Sequence, residues 1–433
     1  MKTRRRSVLY GTLVAHAVSV SGTRVSAIAL PWFVLTSTGS ATKTGLVATF
    51  ELLPLVVVKA LGGPIIDRIG PRRISITADL ASAFVVGLIP LLHVLNALDF
   101  PGLLGLVAIA GALRGPGDTA KETMIPEIAG VSGVPLERVT GLGGSTDRGA
   151  MIVGPAIAGL LISAIGPVNA IVVDAASFAI CAAIMAVYAP RRHERTEPDE
   201  AGYLRQLHSG WDFLIREPLM RSLCVMIAVT NLLDAAYSGV LVPVWVRDHG
   251  HGAAAIGLVG SAFGITATVA SLLAAAYGER LPRRLTYLVG FFVAGVPRYV
   301  ALAFGAPLWL VIGISAMGGF GAGFINPILG AIYLERVPRP LLGRVMALGD
   351  SLAWIGMPFG GILAGLALSG VDLAPALLIA GGGYLIATAV PGLLPQWRDM
   401  DRRVEPGSRA SGAQAGMDPS EGALAEPAAS RSA

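Results

Sequence analysis

The sequence predicts an all-α integral membrane protein: twelve transmembrane helices in two pseudo-symmetric six-helix bundles. Three observations carry that prediction. Of 433 residues, 54% are hydrophobic and only 14% charged, with a mean hydropathy of +0.67, too apolar a balance for a soluble multidomain protein. Apolar runs of the roughly 20 residues a bilayer requires recur along the whole chain. The basic residues that interrupt those runs gather in alternate loops.

The runs fall at 10–35, 41–66, 74–96, 101–126, 139–164, 167–189, 222–245, 254–278, 285–304, 307–334, 345–368 and 374–395. The first follows Met1-Lys2-Thr3-Arg4-Arg5-Arg6 but is too long for a signal h-region and lacks a small-residue cleavage site, so it reads as a spanning helix. Between the second and third lies a short charged turn, Gly62-Gly63-Pro64-Ile65-Ile66-Asp67-Arg68-Ile69-Gly70-Pro71-Arg72-Arg73. Its three arginines assign it to the cytoplasmic side. Alternate loops and termini collect 23 Lys and Arg, and only Lys43 and Arg247 fall opposite. Both termini are therefore expected in the cytoplasm, with the chain a multi-pass protein of the cell inner membrane. The excess of Arg over Lys, with heavy Ala and Gly usage, points to a GC-rich bacterial genome.

The charged stretch 190–221 divides the chain. The expected organisation is an N-terminal bundle at 1–189, a cytoplasmic linker at 190–221, a C-terminal bundle at 222–397 and a tail at 398–433. The tail lacks hydrophobic periodicity and reads as disordered. The halves also repeat. At an offset of 212, Pro31 aligns with Pro243, Gly45-Leu46-Val47 with Gly257-Leu258-Val259, Asp67-Arg68 with Glu279-Arg280, and Arg72 with Arg284. At an offset of 203, Asp147 and Pro155 align with Asp350 and Pro358. These are the marks of two parallel copies of one six-span unit.

The net charge of +5 reflects loop topology, and no nucleic-acid partner is expected. Cys181 and Cys224 sit in separate apolar runs without metal-ligand spacing, and His249 and His251 have no further ligands in view. There is no His-Glu-x-x-His and no Gly-x-Ser-x-Gly. Neither a metal, a cofactor nor an enzymatic activity is expected.

Ionisable side chains inside the runs are the functional signal, because each costs about 2.5–3.5 kcal/mol at mid-bilayer and needs a partner, water or a purpose. They are Arg24 in the first span, Glu51 and Lys59 in the second, Arg114, Asp118, Lys121 and Glu122 in the fourth, Asp174 in the sixth, Asp234 in the seventh and Arg298 in the ninth. Arg114, Asp118 and Lys121 or Glu122 share one helix face, where pairing among themselves is expected. A structural ion-pair network accounts for any single residue as well as a functional role does; the group as a whole favours a hydrated cavity. Asp118 beside Arg114, or Asp234, suits a proton-coupling carboxyl, with Glu51 and Asp174 equally open; His16 ranks below the acids.

Gly63, Asp67, Arg68, Gly70 and Arg72 follow a Gly-x-x-x-Asp-Arg-x-Gly-x-Arg spacing that resembles the loop signature of the major facilitator superfamily, with Pro71 a departure and Arg73 beside it. Gly154, Pro155 and Gly159 in the fifth span resemble the antiporter signature of the exporters in that family; small-residue helix packing is the alternative. Val173-Asp174-Ala175-Ala176-Ser177-Phe178, the Gly210–Leu219 stretch, Glu335-Arg336-Val337-Pro338 and Gly343-Arg344-Val345 resemble the subgroup of macrolide-efflux proteins and the enterobactin exporter, and the likeness covers all but the tail. The resemblance implies a central cavity lined by the first, fourth, seventh and tenth spans, where Arg24, Arg114, Asp118, Asp234 and Asn326 sit. It implies a gating role for Asp67 and its arginines. It further implies proton-coupled efflux of a small amphipathic compound (antibiotic, drug or siderophore) by a monomer in a lipid bilayer, with an importer or a non-transporting sensor as alternatives.

Overall fold

The computed structural model describes residues 2–61, 63–191, 203–338 and 341–401, and among them all regular secondary structure is helical. Hydrocarbon offers no partner to a backbone N–H or C=O, so a spanning segment must satisfy both within itself. Eleven helices are long and apolar enough to cross a membrane. One of them, Leu136–Tyr188, has 53 residues. At 1.5 Å per residue it would run about 80 Å through a hydrocarbon core of about 30 Å. It breaks at Gly166, where φ is 83° and ψ 161°, a conformation glycine reaches cheaply for want of a Cβ. Divided there, it supplies the fifth and sixth spans.

The other spans are Arg6–Thr38, Ala41–Leu61, Pro71–Val94 and Phe100–Ser132 before it, then Pro218–Asp248, Ala253–Tyr277, Arg283–Ala303, Leu308–Arg336, Leu342–Gly370 and Leu373–Leu393 after it. Large apolar side chains such as Phe84, Val187, Leu272 and Ile379 are at least 68% exposed, a surface that only lipid covers favourably. Tyr203–Arg216, inside the expected linker, forms a helix ahead of the seventh span. At the other end, Pro395–Asp401 packs back with Trp397 and Met400 buried. The expected tail beyond Asp401, residues 192–202 of the linker and the side chain of Asp67 lie outside the described residues.

Each half has its own apolar core, around Val47, Val107 and Ile171 in the first and Tyr287, Tyr299 and Leu377 in the second. The repeat recurs in three dimensions. Arg72, at the start of the third span, donates from Nη2 to the Ala186 carbonyl at 2.5 Å and from Nε to that of Ala189 at 3.2 Å. Arg284, its counterpart 212 residues on, donates from Nη2 to the Gly392 carbonyl at 2.7 Å. Ala189 and Gly392 are themselves 203 apart, so both offsets meet at one contact. Each arginine satisfies carbonyls that a helix C-terminus leaves without partners, at the negative end of its dipole. Arg72→Ala should therefore cost about 1–3 kcal/mol, read as a lower unfolding midpoint in detergent. A variant as stable as the parent would remove this capping role.

The face on which the first span starts, with the Arg-rich loops, is the basic face; the opposite one is the far face. The halves meet where the second span packs on the eleventh and the fifth on the eighth. Backbones touch there because glycine lets them: a Cβ on Gly361 would lie 2.9 Å from the Gly45 carbonyl oxygen, and one on Gly159 2.9 Å from that of Ala253. Near the far face Thr42 Oγ1 donates to the Gly365 carbonyl at 3.0 Å, and the Ala254 N–H donates to Ser163 Oγ at 3.1 Å. The basic-face half of the eleventh span barely touches the second. The halves are thus closed at the far face; toward the basic face the second and eleventh spans part, while the fifth and eighth stay joined as far as Arg148, whose Nη1 donates to Ser271 Oγ at 3.3 Å.

Candidate functional site

The seventh span changes winding next to its acid. Asp234 lies in the helical stretch Pro218–Ala236, which passes into a π-helical turn at Tyr237–Leu241 before Val242–Asp248 resumes the α-helix. Such turns widen a helix by one residue and recur at functional positions. Arg298 of the ninth span, 8% exposed, donates from Nη2 to Asp234 Oδ1. Its guanidinium lies 4.5 Å from the ring centre of Tyr237 and 5.7 Å from those of Phe263 and Tyr299, which adds cation–π attraction to the ion pair. The Tyr299 hydroxyl donates to the Leu233 carbonyl at 2.9 Å and ties the ninth span to the seventh.

Asp234 and Arg298 line a cavity of about 260 Å³ whose wall also includes Asn231, Phe291, Asn326 and Trp354. All its lining residues belong to the C-terminal half. The volume approaches the lower end of drug-sized sites, about 300 Å³, and the wall mixes aromatic and aliphatic side chains with asparagines, an arginine and the acids Asp234 and Asp350.

The N-terminal half arranges its charges differently. Arg114 Nη1 donates to Glu51 Oε1 at 2.8 Å, with both side chains at most 16% exposed. Asp174 accepts from the hydroxyls of Ser26 and Ser177. Ser26, Glu51, Arg114 and Asp174 line a crevice of about 10 Å³, at the limit for a single water. Nearer the basic face, Lys121 Nζ donates to Asp79 Oδ1 at 2.9 Å and to Ser19 Oγ at 3.1 Å, while Cys181 Sγ donates to Asp79 Oδ2 at 3.2 Å. Lys59 reaches Glu122 at 3.4 Å.

The residues singled out by sequence thus separate into clusters. Asp234, Arg298 and Asn326 share the C-terminal cavity; Glu51, Arg114 and Asp174 share the N-terminal crevice. Asp118 lines neither, standing 3.9 Å from Lys121 with its side chain 47% exposed. Arg24 lies along the fifth span, its Cγ 2.8 Å from where a Cβ on Gly154 would be, and the charges of Asp147 and Arg114 act on it. Of the expected pairing along one face of the fourth span, Asp118 with Lys121 is present at 3.9 Å, while the shorter contacts run between helices, Arg114 to Glu51 and Lys121 to Asp79. Asp79 is missing from the set chosen by sequence, although it is an acid inside the third apolar run and meets the criterion applied to the others.

Of the loop signature, Gly63 begins a short helix, Gly63–Ile69, and Gly70 turns the chain at φ 97°. Arg68 and Arg73 are exposed and Arg72 caps the sixth span. Gly154, Pro155 and Gly159 lie in the fifth span. Pro155 and Gly159 pack against Gly257 of the eighth, at the contact between the halves, while Gly154 faces Arg24.

Solved structures with the same arrangement of spans include the nucleoside transporter NupG, with a TM-score of 0.68 over 89% of this chain and 98% of that one at 13% identity. A bacterial homologue of the human lysosomal transporter Spinster, in an inward-facing and unoccupied conformation, matches with a TM-score of 0.65 over 93% and 98% at 15% identity. Among curated proteins, the multidrug efflux pump Tap of Mycolicibacterium fortuitum is 32% identical over 94% of this chain and 100% of its own length. Macrolide efflux protein A of Streptococcus pyogenes is 24% identical over 90% and 97%. The family model of the Major Facilitator Superfamily matches twice, over residues 12–235 and 223–421, one match for each copy of the repeat. With a family model over both halves and a relative aligned along its entire length, this multi-pass membrane chain belongs to the Major Facilitator Superfamily.

Proposed function

We propose that this chain is a proton-coupled exporter of small amphipathic compounds, antibiotics or other drugs among them. The observation that carries this is the aromatic cavity with an acid–arginine pair in its wall, in a chain aligned end to end with a multidrug efflux pump. The basic face is cytoplasmic on the distribution of Lys and Arg, which places both termini inside, in the inner membrane of a bacterium. The six-span halves are the moving bodies and one chain is the working unit. A molecule closed at the far face then opens to the cytoplasm, ready to load.

Asp234 is the first choice for the coupling proton. The Asp234 side chain, in the cavity wall, is 39% exposed while that of Arg298 is only 10% exposed, so a proton can reach the acid and release a cation otherwise held in place. Neutralising the acid and freeing the arginine changes the charge that the two halves enclose, and so which closure is favoured. One proton charge moving through about 100 mV provides about 2.3 kcal/mol, a gradient of about fifty-fold.

The test is ethidium export from an efflux-deficient bacterium and from everted vesicles. Wild type should lower cell ethidium, and a protonophore should abolish the effect. Asp234→Asn should reduce energised export at least ten-fold and leave ethidium counterflow, which needs no proton movement. Accumulation of solute in expressing cells would instead favour import, and unimpaired energised export in Asp234→Asn would move the proton to Glu51, Asp118 or Asp174.

A further inference from the structure

We propose that Asp350 is a recognition site for lipophilic organic cations and that such cations are a substrate class of the C-terminal cavity; this rests on the efflux reading above. Asp350 lies on the eleventh span where that span lines the cavity, and its side chain is exposed there. Among the described residues its carboxylate has no hydrogen bond or ion pair. The other two charges in the wall, Asp234 and Arg298, pair with each other. The cavity therefore carries one uncompensated negative charge.

The repeat shows that this uncompensated acid is particular to one half. Asp147, the counterpart 203 residues earlier, is bonded to His16 at 2.7 Å. The position 212 residues after His16 is Ala228, and its backbone lies against the eleventh span, with the carbonyl oxygen 3.1 Å from where a Cβ on Gly356 would be. The second copy keeps the acid and has no imidazole to hold it.

Aromatic surface lies beside the acid. Trp354 follows Asp350 by four residues, hence on the same helix face, and both line the cavity. Its ring centre is 6.0 Å from the Lys59 ammonium of the other half, so the indole already presents its face to a positive charge. Lys59 is also the base whose field reaches Asp350, but its ammonium lies 3.4 Å from Glu122. A carboxylate open to approach, next to an indole face, attracts an organic cation through charge and ring quadrupole together. A neutral ligand of the same shape gains neither.

Equilibrium binding of radiolabelled tetraphenylphosphonium to the purified full chain tests this, because its charge does not vary with pH. Asp350→Asn should weaken binding at least ten-fold, Trp354→Leu about five-fold, and Asp350→Glu less than three-fold. Wild-type affinity in a folded Asp350→Asn protein overturns the assignment. Equal losses in Asp350→Asn and Lys59→Met overturn it too, marking the two residues as a latch between the halves. Export is scored separately with tetraphenylphosphonium and with chloramphenicol, a neutral amphipath. Export of chloramphenicol alone, with neither tetraphenylphosphonium nor ethidium exported, overturns the inference and leaves export of neutral amphipaths standing; cation binding that depends on Asp350, without export of any of the three, keeps the recognition site and overturns the efflux reading together with the substrate class that rests on it.

Discussion

Lys121→Met is expected to lose about 3–5 kcal/mol of stability, the cost of leaving a buried carboxylate without its counter-ion. Lys121 and Asp79 have side chains only 7% and 4% exposed and lie 2.9 Å apart. Ser19 and Cys181 complete the set, so that one polar cluster joins the first, third, fourth and sixth spans. Removing the lysine leaves Asp79 with a thiol donor and little else, in a region where each uncompensated charge is expensive. Asp79→Leu combined with Lys121→Met removes both charges and puts apolar side chains in their place. That double variant should recover most of the lost stability, as replaced buried pairs commonly do. Thermal unfolding in detergent reads both, and a double variant no more stable than Lys121→Met would mean that the pair is not what the single substitution breaks.

Gly361→Leu is expected to cut export more than ten-fold while the protein still inserts. A Cβ there would fall 2.9 Å from the Gly45 carbonyl oxygen and 3.0 Å from Ala48 Cβ, with backbone behind and no room to turn aside. Overpacking of this kind costs about 1–3 kcal/mol. Because the contact is between the halves, the cost falls on the closed far face and leaves the interior of each bundle alone. About 1.4 kcal/mol shifts a two-state balance ten-fold, enough to deplete the loading state of an alternating-access cycle. Gly361→Ala, with one methyl in place of an isobutyl group, should lie between. Export by Gly361→Leu at the parent rate, at matched membrane levels, would show that this contact does not have to close.

Within each half the spans can be located from the sequence because hydropathy is read along one dimension. The third apolar run is 74–96 and its helix is Pro71–Val94; the twelfth is 374–395 and its helix is Leu373–Leu393. The division of one 53-residue helix into two spans is also visible, since the break at Gly166 falls between the runs ending at 164 and starting at 167. The two offsets of the repeat prove to be one geometric fact, carried by Arg72 and Arg284. Charge placement does not follow the repeat: the positions 212 residues before Asp234 and Arg298 are Gly22 and Val86, and the first half builds its arginine–acid pair from Glu51 and Arg114 instead.

Residues read in order are enough to show that this chain crosses a membrane twelve times, that it is built twice from one unit, and which ionisable groups must be accommodated in oil. Length, hydropathy and the burial cost of charge suffice for that, because each acts on a residue and its near neighbours. Which charge meets which is a property of the packed helices alone. Arg114 meets Glu51 across 63 positions and Lys121 meets Asp79 across 42, while Asp350 meets no counter-ion among the described residues. Such pairings depend on which helices adjoin and how each is rotated about its axis, and a pattern of apolar residues uniform enough to face lipid leaves that rotation unspecified.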